Sequence, residues 1–400
     1  MYKSLACVSI ASLVAFSGVS IATETGTSGH ETSMKSDMQH QSDISISNFG
    51  KLPNGQEIKR YQLTNNNGME VSILTYGGIV QSIRVPDKNG HFDDIALGYD
   101  TLQGYLDDQQ KNHTYFGALI GRYANRLAGG RFTLDGSQYQ VPANNGPNAL
   151  HGGPEGFDTH VWKAHTIKGN GWRGVELSTL SPDGEMGFPG DLTVTVRYTL
   201  NNDNELRIHY TAISDAPTVI NLTNHTYFNL AGAGKGTVLD QLAMINASHY
   251  TPMNEQLIPT GEIATVQGTP MDFRQLTPIG ARIHADHPQL HYAEPDQGGY
   301  DLNWVLDNPG KPMALDARVI DPESGRQVEM YTTEPGVQFY TGNFLKQIKG
   351  KNGKTYQHWG GFTLEAQHFP DSPNQPDFPS TRLNPGQPYT QTTIFKFLPL

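Results

Sequence analysis

From Ile46 to the end the chain alternates apolar and polar residues in short runs separated by turn signals. Glu57–Leu63 alternates, Asn65–Gly68 turns, and Met69–Leu74 alternates again. Arg131–Leu134 and Ser137–Val141 flank Asp135-Gly136, a two-residue turn that predicts a hairpin. Leu192–Leu200 and Glu205–Thr211 flank Asn201–Asn204 and predict another. No stretch shows sustained helical periodicity. No linker, charge shift or internal repeat divides residues 46–400. The pattern predicts one large, all-β antiparallel β-sandwich domain with long functional loops.

The first 45 residues read differently. Met1–Lys3 is a short basic start, Leu5–Ile21 an apolar stretch diluted by Ser, Ala and Gly, and Ser20–Ala22 a run ending in a small residue. This predicts a signal peptide over residues 1–22, hence export to a bacterial periplasm. The run is too short and too serine-rich for a membrane anchor. Residues 23–45 carry almost no large apolar side chains and predict a disordered tether. Its His30, Met34, Met38 and His40 are copper-type ligands, but their irregular spacing favours incidental residues in a tether.

Charge narrows the partners. A formal net charge of -11 leaves no cation excess for nucleic acid, and no Lys/Arg run suits an anionic membrane. Charged residues are only 17% of the chain, against 43 Gly and 25 Pro, a balance suited to a polar, uncharged ligand. The single cysteine, Cys7, precedes the expected cleavage site, so no thiol or disulfide chemistry is expected of the mature chain. The expected oligomeric state is a monomer or weak dimer.

Four segments place polar side chains inside apolar or turn-rich text. In Gly121–Gly130, Asn125 and Arg126 are candidates to meet ligand oxygens, and the competing reading is a buried guanidinium satisfying loop carbonyls. In Asn145–Gly153, glycines beside His151 allow a close approach to its ring. In Val219–Leu230, His225 falls within an expected strand and suits acid/base work near neutral pH. The fourth set is Asp301 just before an apolar strand, Gln338 within one, and Glu365 at the end of Gly361–Leu364, followed by a Pro-, Asn- and Gln-rich loop. Asp272 and Asp371 read as turn formers, and Gly232–Thr237 lacks the spacing of a phosphate loop. The histidines lack the spacing of a helix-borne zinc site.

The text around these residues resembles the aldose 1-epimerase family. The resemblance lies in Gly121–Arg126, Asn144–Gly146 with Leu150–Gly153, Thr223–Leu230, Gly299–Asp301, Pro335–Asn343 and Leu364–Asp371, and runs from about residue 47 to 397. It implies a β-sandwich with a shallow sugar cleft and interconversion of the α and β anomers of aldoses such as galactose and glucose. It implies Glu365 as general base and His225 as general acid, with Asn125, Arg126, His151, Asp301 and Gln338 binding the sugar. That chemistry removes a proton from the anomeric hydroxyl and adds one to the ring oxygen, so it needs no metal or cofactor. It also requires Glu365 and His225 to be close enough for one pyranose to bridge. Two rivals remain at this point: a glycoside hydrolase using Asp301 and Glu365, and a catalytically silent sugar-binding protein.

Overall fold

Three large antiparallel sheets, joined by five two-stranded ones, carry the described residues. The computed structural model describes residues 43–308 and 313–399, all within one compact unit. The expected signal peptide and residues 23–42 of the expected tether lie outside the described residues. Residues 43–45, expected in the tether, instead begin the strand Asp43–Lys51. Its partner Glu57–Thr64 extends far enough to pair Asp43 with Thr64 and Ile44 with Leu63. Backbone pairing along a regular neighbour outweighs the polar composition of those three residues.

That strand opens a five-stranded meander ending at Phe92–Asp94. The largest sheet has nine strands. In spatial order they are Lys163–Gly169, Trp172–Ser181, Leu192–Asn201, Glu205–Ser214, Tyr389–Pro399, Arg326–Thr332, Leu315–Ile320, Leu242–Ile245 and Thr277–Pro278. Both expected hairpins form, Arg131–Leu134 with Ser137–Gln140 and Leu192–Asn201 with Glu205–Ser214. In the latter, Val194, Val196, Tyr198 and Leu200 are buried while the residues between them face outward, the period-2 signature of a sheet with one wet side.

The third sheet runs Tyr227–Phe228, Phe362–Gln367, Gly336–Tyr340, Asp301–Val305, His249–Thr251 and Ala264–Thr265. Its central strands are buried on both faces. One face is apolar: Leu302, Trp304, Val337, Phe339, Leu364 and Ala366 all belong to the main core. Phe339 and Trp304 are fully buried and pack with Phe273 and Tyr300, so truncating either to Ala costs about 3–5 kcal/mol. The opposite face carries Asp301, Asn303, Gln338, Tyr340, Thr363, Glu365 and Gln367. A buried polar face is costly unless its groups are paired or meet a ligand.

Two helices lie among the strands, Leu102–Lys111 and Pro288–Ala293. The first forms although the chain shows no sustained helical periodicity there. Its only deeply buried positions are Leu102, Tyr105 and Asp108, one of them charged, and its last five residues read DDQQK, so no apolar stripe advertises it. Thr101 caps it by accepting from the Gly104 N–H at 3.2 Å. Asp108 then anchors the following loop, accepting from the Thr114 N–H at 3.0 Å and its hydroxyl at 2.6 Å. That loop delivers His113 and Tyr115 to the cleft described next.

Candidate active site

The polar face of the six-stranded sheet is the floor of a cleft of about 310 Å³, within the size range of small-molecule sites. Glu365, Asp301 and Tyr340 line it from the sheet. His225 enters from the strand edge. It was expected within a strand, but it sits between the two-residue strands Thr223–Asn224 and Tyr227–Phe228. The cause is Asn224, whose side-chain Oδ1 accepts from the Thr226 N–H (3.1 Å) and hydroxyl (2.5 Å) and so replaces a ladder bond with a local turn. The His225 backbone is pinned on both sides, donating to Ala118 O and accepting from the Gly117 N–H, each at 2.9 Å. Its Nε2 lies 3.5 Å from Glu365 Oε1.

His151 and Asn125 come from two loops that lock each other. Both adopt left-handed backbone, φ 54° and 62°. The His151 N–H donates to Asn125 O at 3.0 Å, and the Asn125 N–H donates to His151 Nδ1 at 3.1 Å. Gly152 makes this possible: a Cβ there would sit 2.1 Å from Gly121 O. Because Nδ1 accepts a backbone proton, the ring proton of neutral His151 is confined to Nε2. Burial holds its pKa well below the usual value, and the neighbouring His225 adds to the effect. His151 is therefore a neutral, fixed hydrogen-bond donor.

Burial acts on the central pair in opposite directions. It pushes the Glu365 carboxyl up to about 8, nearby Asp301 pushing the same way and the Thr363 hydroxyl and Arg126 pulling back. It drives His225 down to about 3. Near neutral pH the pair holds one titrating proton, and that proton rests on Glu365. Glu365 Oε1 accepts from the Thr363 hydroxyl at 2.9 Å. Glu365 Oε2 and His225 Nδ1 are buried and have no hydrogen-bond partner among the described residues. Both residues line the cleft, and unpaired buried polar atoms beside it mark a place where a polar ligand can supply the missing partners.

The two arginines of Gly121–Arg126 divide the two readings between them. Arg122 is the structural one: it donates to the Ser181 hydroxyl (2.7 Å) and to Ser181 O (2.6 Å), Pro182 O and Pro189 O (2.9 Å each). Arg126 spends only its Nε, on Asn145 Oδ1 at 3.0 Å, and lines the cleft. Replacing each by Met should separate the roles. Arg122→Met should lower the unfolding free energy measured by urea denaturation by at least ~3 kcal/mol, because several buried acceptors lose their donors. Arg126→Met should lower kcat/KM roughly 10- to 100-fold while changing the unfolding free energy far less. Equal losses of stability in the two variants would contradict this division.

Gln338 is not among the residues lining the cleft. It stands behind Asp301, donating to Oδ1 at 2.7 Å, and its own carbonyl accepts from Gln367 at 3.3 Å. It orients Asp301 instead of forming the cleft wall. Burial raises the Asp301 pKa, with Arg126 and Gln338 opposing. Asp371 is a turn former as expected, at φ 56°, and accepts from the Ala128 N–H at 2.9 Å, which ties the Arg126 loop to the loop after Glu365.

Sequence reasoning missed Tyr115 and His113. Tyr115 packs edge-on to His151, with ring centroids 4.7 Å apart, and stacks on His113 at 4.0 Å. His113 is held by Asp158 at 2.8 Å. Nothing local in His113–Phe116 distinguishes these rings from core residues. Asn303, Thr363 and Gln367 were also missed, though their alternation with apolar neighbours on three strands was a usable signal.

Donor atoms of His151, His225 and Glu365 all lie within 4.8 Å of one another, a spacing that invites a metal. The chemistry of the set does not fit one. His151 Nδ1 already accepts a backbone N–H, so its other nitrogen carries the proton and offers no lone pair.

A larger depression, about 690 Å³, lies on the outer face of the nine-stranded sheet, but no carboxylate and imidazole converge there on unpaired atoms. Chemistry, not size, picks out the cleft. A buried carboxylic acid beside a buried imidazole, on the polar floor of an antiparallel β-sandwich, defines an acid/base enzyme acting on a small polar ligand. Residues 59–396 match the family described as aldose 1-epimerase, and the chain belongs to that family. It is 46% identical over 351 residues to galactose mutarotase of Bos taurus, covering 87% of this chain and 97% of that protein. It is 37% identical over 348 residues to aldose 1-epimerase of Escherichia coli K12, covering 86% and 97%. Among solved structures, galactose 1-epimerase from Lactobacillus acidophilus superposes with a TM-score of 0.77 at 27% identity, covering 90% of this chain and 99% of that one.

Proposed function

We propose that this chain interconverts the α and β anomers of aldohexoses, D-galactose and D-glucose among them, by acid/base opening and closing of the pyranose ring. The observation that carries the reading is the 3.5 Å approach of His225 Nε2 to Glu365 Oε1 on the cleft floor. The anomeric hydroxyl and the ring oxygen share one carbon, so an acid and a base side by side can serve both.

Near neutral pH the pair is neutral, with Glu365 protonated. Sugar hydroxyls that donate to Glu365 supply the partners Oε2 lacks, and hydrogen bonds to a carboxylate favour its charged form. The shared proton then passes to His225. Glu365 removes the anomeric proton, His225 protonates the ring oxygen, and the ring opens. The aldehyde turns about the C1–C2 bond, and the same two groups close the ring with their roles exchanged. His151 donates from Nε2, Arg126 stabilises negative charge on sugar oxygens, and Asp301, oriented by Gln338, holds sugar hydroxyls. A hydrolase reading would leave both histidines at the centre of the cleft without work.

Polarimetry of fresh α-D-glucose, α-D-galactose and L-arabinose tests this. Rotation should relax faster with the protein than in buffer alone, and no acceleration with any of the three would sink the reading. The pH profile is a second check. The pair works only while it holds one proton. Glu365 is raised from 4.5 to about 8, so the proton is kept below pH 8 and lost above it. kcat/KM should therefore fall as pH rises through about 8. A profile that instead rises through pH 4–5 and stays flat past 9 would show Glu365 titrating as an ordinary carboxylate. From the Met1–Ala22 pattern alone we infer export to the periplasm, which fractionation and N-terminal sequencing of the mature chain would test.

A further inference from the structure

The geometry points to a second carbohydrate site, for an acidic oligosaccharide, on the outer face of the nine-stranded sheet. The site is the depression of about 690 Å³ noted above, and none of its lining residues lines the catalytic cleft. Four neighbouring strands build it. Register places Ile167 beside Gly174, Gly174 beside Thr199 and Thr199 beside Arg207, and a second row runs from Glu176 through Arg197 to His209. Four strands at 4.7–4.9 Å spacing span ~14 Å, longer than one sugar ring.

Its apolar part is Trp172 and Ile167. The indole lies against Gly169, where a Cβ would come within 2.3 Å of the ring, so glycine is what lets the ring settle on the neighbouring strand. Trp172 and Ile167 are both part-exposed, an amphipathic platform of the kind that stacks on the C–H face of a sugar. Its polar part is cationic. The lining holds Lys168, Arg197 and Arg207 against Glu205, with Glu176 beside Arg197 in the adjoining row, in a chain of net charge -11. Glu205 is already engaged, by Asn201 at 2.8 Å and by Lys396 at 3.2 Å. Arg197 is paired with Glu176, but the side chains of Arg207 and Lys168 have no hydrogen-bond or ion-pair partner among the described residues. His209 feels this field: burial lowers its pKa, and Arg197 and Arg207 lower it further.

A bare phosphate would pair the cations and leave Trp172 uncovered. A neutral glycan would cover Trp172 and leave the cations unpaired. A chain of uronic-acid sugars does both, its carboxylates meeting the planar donors of arginine. The assignment does not rest on the catalytic reading, and each can fail without the other.

The test is calorimetric titration of the full chain with a galacturonate tetramer at low salt. A neutral galactose tetramer and phosphatidylglycerol vesicles are the comparison ligands. Saturable binding to the galacturonate tetramer is expected. It should weaken at least tenfold in Trp172→Ala, in Arg207→Glu and on raising the salt, with mutarotation unchanged in both variants. Arg207→Glu is a solvent-facing change that guards against loss of fold. No saturable binding, equal binding in both variants, or a preference for the neutral tetramer or the vesicles would overturn the proposal.

Discussion

Glu365→Gln should lower turnover by roughly two to four powers of ten, the usual worth of one general base, with only a modest change in KM. The substitution is close to isosteric. Its amide oxygen can still accept from the Thr363 hydroxyl that now donates to Oε1 at 2.9 Å. The carboxyl it replaces is neutral near pH 7, because burial raises it to about 8. The amide thus copies the resting state in shape and charge and removes only the ability to take a proton. Stability gives an independent control. A carboxyl raised above its ordinary value of 4.5 holds more protons folded than unfolded, so its presence costs stability as pH climbs from 4.5 towards 8. The variant should therefore be at least as stable as the parent at pH 8 and above. Polarimetry gives turnover and urea denaturation gives stability. Parent-level turnover in a folded Glu365→Gln would move the base elsewhere.

Most of this site was readable in the chain, and the failures share a cause. Asp301 stood out as a polar residue just before an apolar strand, Gln338 as one within a strand and Glu365 as one closing a strand, and the structure puts all three on one buried face. What the strands do not announce is which polar residue meets the ligand and which supports another. Gln338 and Glu365 are paired across two strands, yet only Glu365 lines the cleft. Arg122 and Arg126 lie four residues apart in one motif, and their fates separate only through contacts with Pro182 and Pro189 in one case and Asn145 in the other. His113 and Tyr115 owe their positions to Asp108 and Asp158, neither of which marks itself as an anchor. The helix Leu102–Lys111 is legible only as a cap and three buried positions. Local alternation fixes faces. Partners far along the chain fix roles, and a single sequence leaves those implicit.

His225→Asn is expected to produce a loss of the same order as Glu365→Gln, again about two to four powers of ten in turnover. Asparagine keeps a donor and an acceptor near the ring oxygen but cannot carry a proton between sites. The backbone pins to Ala118 and Gly117 do not involve the side chain, so the local turn should survive. The comparison with His151→Asn is the sharper part. His151 Nδ1 accepts the Asn125 N–H, so a second ring proton would face that donor, and burial opposes the charged ring as well. His151 can orient the sugar and donate a hydrogen bond, but giving up its Nε2 proton would leave an anionic ring. Its replacement should raise KM more than it lowers turnover, and it should leave the decline of kcat/KM above about pH 8 in place. In His225→Asn that decline should lose its meaning, since the partner that receives the proton from Glu365 is gone. If His225→Asn keeps parent turnover while His151→Asn abolishes it, the acid is His151, and the tautomer argument built on Asn125 is wrong.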